Sequence, residues 1–186
     1  MTASPDLFGP DLPPGFEYRD NFISEAEEAA LLTDIGNVTF ADFEMRGVVA
    51  RRRVAFFGES YDRNTRSAVP EFLRPLRSRV AEWAGVPDDA FSMALINEYP
   101  PGAPIGWHRD APQYDIVAGL SLLSACRMTF RPYSPPSLKV RRTTSHEILL
   151  EPRSAYIMRD EARQAYEHHI PAVAQLRYSI TFRTAR

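Results

Sequence analysis

Apolar residues follow two rhythms along this chain. Over residues 24–36 and 70–84 they recur every three or four positions, the period of a helix with one buried face; from residue 91 onward they alternate or run in short blocks between turns, the signature of strands. The first helical stretch opens at Ser24, which can cap it, with Glu27 three residues on and acidic side chains in the first turn. Leu31, Leu32 and Ile35 supply its apolar face, and Gly36 ends it. The second carries Phe72, Leu76, Val80 and Trp83 and is stopped at Gly85-Val86-Pro87. Residues 16–18 read as a short strand. Residues 38–57 are β-like, broken at Gly47 and closed by a turn at Gly58. Further strands are expected at 92–99, 116–123, 127–133, 147–150, 154–158, 166–169 and 178–182, with an exposed loop over 134–144. The pattern predicts a mainly β fold with flanking helices, a sandwich or jelly roll. Residues 1–90 form an αβ amino-terminal part laid against an all-β part, residues 91–186, in one cooperative unit.

Composition narrows the field. A chain of 186 residues with 44% apolar and 25% charged residues can fill one core. A formal net charge of −2 provides no overall field toward nucleic acid, so any such contact must come from local patches. The single cysteine, Cys126, excludes an internal disulfide and a thiolate zinc site, fits a reducing, cytoplasmic setting, and reads as a core residue of an apolar strand. The first fifteen residues have neither the basic nor the apolar region of a secretory signal, and no apolar run approaches the ~20 residues that span a bilayer. The expectation is a soluble protein with no membrane contact and no obligate protein partner.

The candidate chemistry lies in three separate stretches: Trp107-His108-Arg109-Asp110, His168-His169-Ile170-Pro171, and residues 177–183. On extended backbone His108 and Asp110, two apart, point the same way, with Arg109 opposite. Taken alone an H-x-D triplet reads rather as a solvent-exposed polar turn. A third ligand must come from the other histidines. His146 follows a basic loop and is expected to be exposed. His168 and His169 are adjacent, so one of them points inward; His168, sharing its face with Tyr166, is the choice, and His169 is placed at the rim. Two imidazoles and a carboxylate on one face of a metal are the donor set of non-haem Fe(II) oxygenases. Arg177 and Arg183 are six apart and share a strand face with Ser179 and Thr181, while Tyr178, Ile180 and Phe182 cover the other. An amphipathic edge strand would look the same. Inward arginines, however, need an anion, and a dicarboxylate suits their forked geometry. Asn97 and Tyr99 have the same i, i+2 relation on the strand leading toward His108.

Taken in order, Asn97-Glu98-Tyr99, Pro101-Gly102-Ala103, His108-Arg109-Asp110, Leu120-Ser121-Leu122, His168 with Ile170-Pro171, and Arg177 through Arg183 resemble the AlkB family of Fe(II)- and 2-oxoglutarate-dependent dioxygenases, whose pattern runs N-x-Y, P-G-A, H-x-D, S-L, H and R-x-N/S-x-T-F-R. The resemblance covers about residues 91–186. Pro14-Gly15-Phe16 and residues 23–28 also look like the family's entry segment.

The resemblance implies a double-stranded β-helix, or jelly roll, with His108, Asp110 and His168 as iron ligands and catalytic centre. It implies Asn97, Tyr99, Arg177, Ser179 and Arg183 around 2-oxoglutarate, with Arg177 on the distal carboxylate. It makes residues 1–90 a substrate lid, in which Arg46, Arg51, Arg52, Arg53 and Tyr61 are candidate substrate contacts. The activity implied consumes 2-oxoglutarate and O2, releases succinate and CO2, and demethylates alkylated DNA or RNA bases, single-stranded or flipped out, with loss of formaldehyde. Two features depart from the family. Many base-repairing members carry an acidic residue two positions after the iron-binding aspartate, where this chain has Pro112, with Asp115 close by. Residues 122–124 are Leu-Leu-Ser, without the glycine common in the family. A hydroxylase or demethylase of protein side chains or small molecules is therefore the alternative, and a catalytically silent binding module a lesser one.

Overall fold

The computed structural model describes residues 12–45, 48–59, 66–134 and 145–186. Among these, helix α1 (Glu25–Ile35) starts from the expected capping box: Ser24 accepts from the Glu27 amide while the Glu27 carboxylate takes the Ser24 N–H at 2.8 Å. Helix α2 (Arg74–Ala84) follows a 3-10 turn at Glu71–Leu73 and ends at Gly85 in the left-handed conformation, φ 70°. A third, short helix, α3 (Asp160–Gln164), was not foreseen.

The strands are β1 (Phe16–Arg19), β2 (Ala41–Met45), β3 (Val48–Glu59), β4 (Arg66–Ser67), β5 (Phe91–Tyr99), β6 (Ile105–His108), β7 (Tyr114–Leu122), β8 (Cys126–Pro132), β9 (His146–Leu150), β10 (Ala155–Met158), β11 (Tyr166–Ile170) and β12 (Arg177–Ala185). All pair antiparallel. One sheet of eight strands runs β1-β10-β7-β12-β5-β3-β2 with β4 alongside β3; a second of four runs β6-β11-β8-β9. The turn expected at Gly58 is instead strand: β3 continues through it, paired to Met93, with Gly58 at φ 88° where a Cβ would meet the Ser92 carbonyl oxygen at 2.1 Å. Arg46, Gly47, Tyr61 and most of the 134–144 loop lie outside the described residues.

The large sheet is covered on both faces. Against one lie α1 and α2, burying Leu31, Ile35, Leu73, Leu76 and Val80 with Ala94, Ile96, Leu120, Ile180 and Phe182. Against the other lies the small sheet, with Cys126, Met128, Phe130, Ile148, Leu150 and Ile170 packed on Phe16, Tyr99, Val117, Tyr156 and Met158. Each such fully buried aliphatic or aromatic side chain contributes roughly 1.5–3 kcal/mol. The two layers are also tied by Glu28 of α1, which accepts the Leu123 N–H at 2.9 Å and pairs with Arg153 at 3.1 Å. Among the described residues no helix is long and apolar enough to cross a membrane.

Strand β12 is central, bonded to β5 on one side and β7 on the other. Its alternation therefore sorts side chains between two interiors rather than between core and solvent: Ile180 and Phe182 face the helices, while Arg177, Ser179 and Thr181 are buried toward the small sheet. That places polar groups inside the jelly roll.

Candidate metal centre and cosubstrate pocket

Cross-strand register brings the two sequence-distant histidines together. His108, the last residue of β6, is directly opposite His168 on β11, and their ring centroids are 4.3 Å apart. Asp110 lies two residues beyond β6, its side chain buried, with Oδ2 3.8 Å from His168 Nε2. The three side chains each offer a donor atom within 4.8 Å of the others. His108 Nδ1 lies 2.9 Å from the Gly106 carbonyl oxygen. A carbonyl only accepts, so that nitrogen carries the proton and Nε2 keeps its lone pair for a metal.

The electrostatics prepare these groups in the states a metal requires. Burial lowers the His168 pKa to about 3, reinforced by His108 and opposed by Asp110, so the ring is neutral at pH 7. Burial alone would raise the Asp110 pKa, but Arg183, His168 and His108 outweigh it and hold the carboxylate well below its usual range. Arg183 donates from Nη2 to Asp110 Oδ1 at 3.0 Å and from Nη1 to the Thr181 hydroxyl at 3.0 Å.

His169 takes the other face of β11, its ring 4.1 Å from Trp107. Arg109 also points away: its guanidinium lies 3.6 Å from the centre of the Tyr133 ring and donates to the Gln164 carbonyl. His146 is not exposed as expected. On β9 it is opposite Phe130 and buried, its ring 5.5 Å from Tyr166.

A polar row leads from the three donors along the large sheet. Ser179 is opposite Asn97 on one side and Ser121 on the other; Arg177 is opposite Tyr99. Asn97 donates to the Ser179 hydroxyl at 3.3 Å, and Arg177 donates from Nη2 to Ser121 Oγ at 3.1 Å, its guanidinium 5.0 Å from the centre of the Tyr99 ring. Arg177 is 1% exposed, and its Nε and Nη1 have no hydrogen-bond partner among the described residues. A buried cation with orphaned donors is costly unless an anion meets it. Arg52, Arg163, Arg177 and Arg183 gather around this interior against the buried carboxylate of Asp110, so its donor set and its charge fit a divalent metal together with a dicarboxylate.

The arginine run of β3 divides by parity. Arg52 faces the site: it is buried, donates to Asn97 Oδ1 at 3.2 Å, and has its guanidinium 4.0 Å from the centre of the Phe43 ring. Arg51 and Arg53 project to the opposite side. Arg51 reaches the Gly102 carbonyl at 3.5 Å, and Arg53 pairs with Glu98 at 2.5 Å. Sequence reasoning quoted Ser121 without giving it a role. It also missed Arg163, which donates to the carbonyls of Ala111 and Tyr114 and so secures the segment that follows Asp110. The first had a signal, the S-L pair; the second had none, being one arginine in a short polar helix.

Two facing antiparallel sheets with imidazoles and a carboxylate converging between them define the setting of a non-haem Fe(II) enzyme. The 2OG-Fe(II) oxygenase superfamily model matches residues 43–183, and the chain belongs to that superfamily. It is 29% identical over 182 residues to the Alkylated DNA repair protein ALKBH8 homolog of Arabidopsis thaliana, a match taking in 85% of this chain and 51% of that protein. It is 31% identical over 126 residues to the Alpha-ketoglutarate-dependent dioxygenase AlkB of Escherichia coli (strain K12), covering 63% of this chain and 56% of that one. The chain thus spans little more than half the length of these relatives. The solved structure of OsALKBH1 shares the fold, with a TM-score of 0.68 and 12% identity over 93% of this chain and 99% of that chain. The fold is the jelly roll of that structure, the sequence is similar to AlkB-type proteins, and the His108, Asp110 and His168 donor set fits the Fe(II) for which the superfamily is named.

Proposed function

We propose that His108, Asp110 and His168 hold the Fe(II), that Asn97, Tyr99, Arg177, Ser179 and Arg183 surround 2-oxoglutarate, and that the enzyme demethylates alkylated bases of DNA or RNA. The observation that carries the pocket is Arg177, a nearly inaccessible cation with two unpartnered nitrogens at the end of a polar row leading to the three donors. The base substrate rests on the two AlkB-type relatives, one of them named as an alkylated DNA repair protein.

When bound, the cofactors supply the oxidation: 2-oxoglutarate and O2 become succinate and CO2 as a substrate C–H bond is hydroxylated, and a hydroxylated N-methyl group leaves as formaldehyde. The chain's own residues do the positioning. Gly106 fixes the tautomer and orientation of His108. Arg183 keeps Asp110 ionised and aims its free oxygen at His168. Arg177 pairs with the distal carboxylate, so the other end of the cosubstrate is directed toward the metal. The small sheet and the Phe16, Phe130 and Tyr156 layer keep water from this interior. Residues 1–90 act as the substrate lid: Phe43 and Arg52, from β2 and β3, stand at the edge of the site as a ring and a cation on which a base can stack.

The test is formaldehyde release from N-methylated single-stranded oligonucleotides in the presence of Fe(II) and 2-oxoglutarate, compared with methylated peptides. Release from the oligonucleotides alone supports the reading; release from the peptides alone replaces it. One observation favours that second reading. Pro112 occupies the place of the acidic residue, and Asp115 is exposed, 3.9 Å from Arg186.

A further inference from the structure

Tyr156 on β10 is opposite Gly119 on β7, which is opposite Thr181 on β12. A Cβ on Gly119 would lie 2.3 Å from Tyr156 Cζ and 2.5 Å from its hydroxyl oxygen. The phenol end of the ring therefore lies directly over the glycine and reaches across β7 toward β12. Phe16 stacks on the ring at 5.7 Å and 16°, and Phe16 in turn packs on Phe130, which contacts His168. The cross-strand row of Tyr156, Gly119 and Thr181 lies between the row of Ser121, Ser179 and Asn97 and the row of Val117, Arg183 and Met93. The hydroxyl thus falls along the path from Arg177 to Arg183 and Asp110.

Tyr156 is 7% exposed, and no hydrogen bond to another described residue engages its hydroxyl; the oxygen is not one of the fully buried unpartnered atoms, so it opens on accessible space. A tyrosine hydroxyl in a largely buried setting ordinarily finds a partner, and this one is free to take it from a molecule in the interior. Burial raises its pKa, Asp110 and Tyr99 raise it further, and Arg177 and Arg183 oppose them; these groups act on the phenol because it stands among them. It is a neutral O–H donor at pH 7.

We propose that Tyr156 is a cosubstrate-binding residue whose hydroxyl donates a hydrogen bond to an oxygen of 2-oxoglutarate, and that Gly119 is the position that admits its ring. This rests on the placement of 2-oxoglutarate along β12 proposed above. Tyr156 grips the molecule from the β10 side, across from Asn97 and Tyr99 on β5. Its hydroxyl bonds the cosubstrate in the loaded enzyme and no described residue in the free one.

The experiment measures 2-oxoglutarate affinity by calorimetry on Mn(II)-loaded protein, Mn(II) affinity by electron paramagnetic resonance, and the melting temperature of the metal-free protein. Tyr156→Phe keeps the ring and removes the hydroxyl. The expected result is a 2-oxoglutarate Kd raised about tenfold or more, as for loss of a hydrogen bond to a charged group, with Mn(II) affinity unchanged and the metal-free melting temperature equal or higher. Gly119→Ala, which must displace the ring, raises the same Kd by moving the hydroxyl rather than removing it. Arg177→Ala serves as the control. Unchanged affinity in Tyr156→Phe alongside weakened affinity in Arg177→Ala overturns the role of Tyr156 and leaves the pocket standing. Unchanged affinity in both removes the pocket as well. A lowered metal-free melting temperature together with lost Mn(II) binding in Tyr156→Phe assigns the hydroxyl to the fold and overturns the proposal.

Discussion

Arg183 binds one carboxylate oxygen of Asp110 and leaves the other facing His168: Nη2 is 3.0 Å from Oδ1, while Oδ2 is 3.8 Å from His168 Nε2. The pair is nearly buried, with side-chain exposures of 11% and 8%. A charge-assisted bond of this kind fixes the rotamer of the carboxylate and keeps it ionised. Arg183→Gln is therefore expected to weaken Mn(II) affinity about 10–100-fold, the usual range when the group that orients a metal ligand is lost. Titration of the variant with Mn(II), followed by electron paramagnetic resonance, checks it, and wild-type affinity would contradict the orienting role.

Removal of a donor itself has a larger effect. His108→Ala and Asp110→Ala are expected to abolish succinate formation from 2-oxoglutarate. They are also expected to abolish the thermal stabilisation that Mn(II) gives the wild-type protein, about 2.7 kcal/mol at a hundredfold excess over Kd. Comparing melting curves with and without Mn(II) separates metal binding from turnover. A variant that still gains stability from Mn(II) does not lack a ligand.

Much of this site was legible because strand parity is a strong constraint. Arg177 and Arg183 are six positions apart, so a strand through both had to put them on one face, and β12 does so. Only one of His168 and His169 could point inward, and it is His168 that meets His108. What could not be read was register. That Tyr156 lies over Gly119, or that Arg52 rather than Arg51 or Arg53 faces Asn97, depends on which residues are opposite across strands far apart in the chain. His146 was misplaced for the same reason: a basic loop before it suggests solvent, whereas its pairing with Phe130 turns it inward. The short β6 and α3 lack a full period of either pattern, so neither stood out among the neighbouring turns.

Acid is expected to destabilise the metal-free protein in two overlapping ranges. His168 has a folded-state pKa lowered to about 3 from an ordinary 6.5. Its contribution is complete above pH 6.5 and is lost as the pH falls toward 3, because the unfolded chain takes up the proton first. By pH 4 the loss reaches roughly 3 kcal/mol. Asp110, whose folded-state pKa lies below its ordinary 3.8, adds a second loss beneath that pH. Urea midpoints of metal-free protein measured from pH 7 to pH 4 should fall steadily, and His168→Asn should flatten the slope above pH 4. Equal slopes in the two proteins would show that His168 is not the group responsible.

Arg177 separates charge from geometry. Its Nη2 donates to Ser121 while Nε and Nη1 are unpartnered, so one planar fork can hold Ser121 and a carboxylate at once. Arg177→Lys keeps the charge but loses the fork, and Arg177→Ala loses both. We expect the 2-oxoglutarate Kd to rise at least tenfold in the lysine variant and further in the alanine variant, with Mn(II) affinity held in each. A lysine variant equal to wild type would mean that charge alone suffices.

Leu123 bears on stability instead of chemistry. It links β7 to β8 with φ at 68°, in the left-handed region that costs an ordinary L-residue about 1–2 kcal/mol. The turn is held by its own N–H, which donates to Glu28 at 2.9 Å, and by the Ser124 N–H on the Leu122 carbonyl at 3.0 Å. Its side chain is 41% exposed, so little packing offsets the strain. Glycine adopts this conformation freely and retains both backbone bonds, but it adds freedom to the unfolded chain worth about 0.5–1 kcal/mol. The difference favours the fold. Leu123→Gly is expected to gain about 0.5–1 kcal/mol, or about 1–4 °C in melting temperature for a domain of this size. Leu123→Ala keeps the left-handed penalty and gains nothing. Differential scanning calorimetry of the two variants decides the matter: a glycine variant no more stable than the alanine variant would show that the loop carries no strain for glycine to relieve.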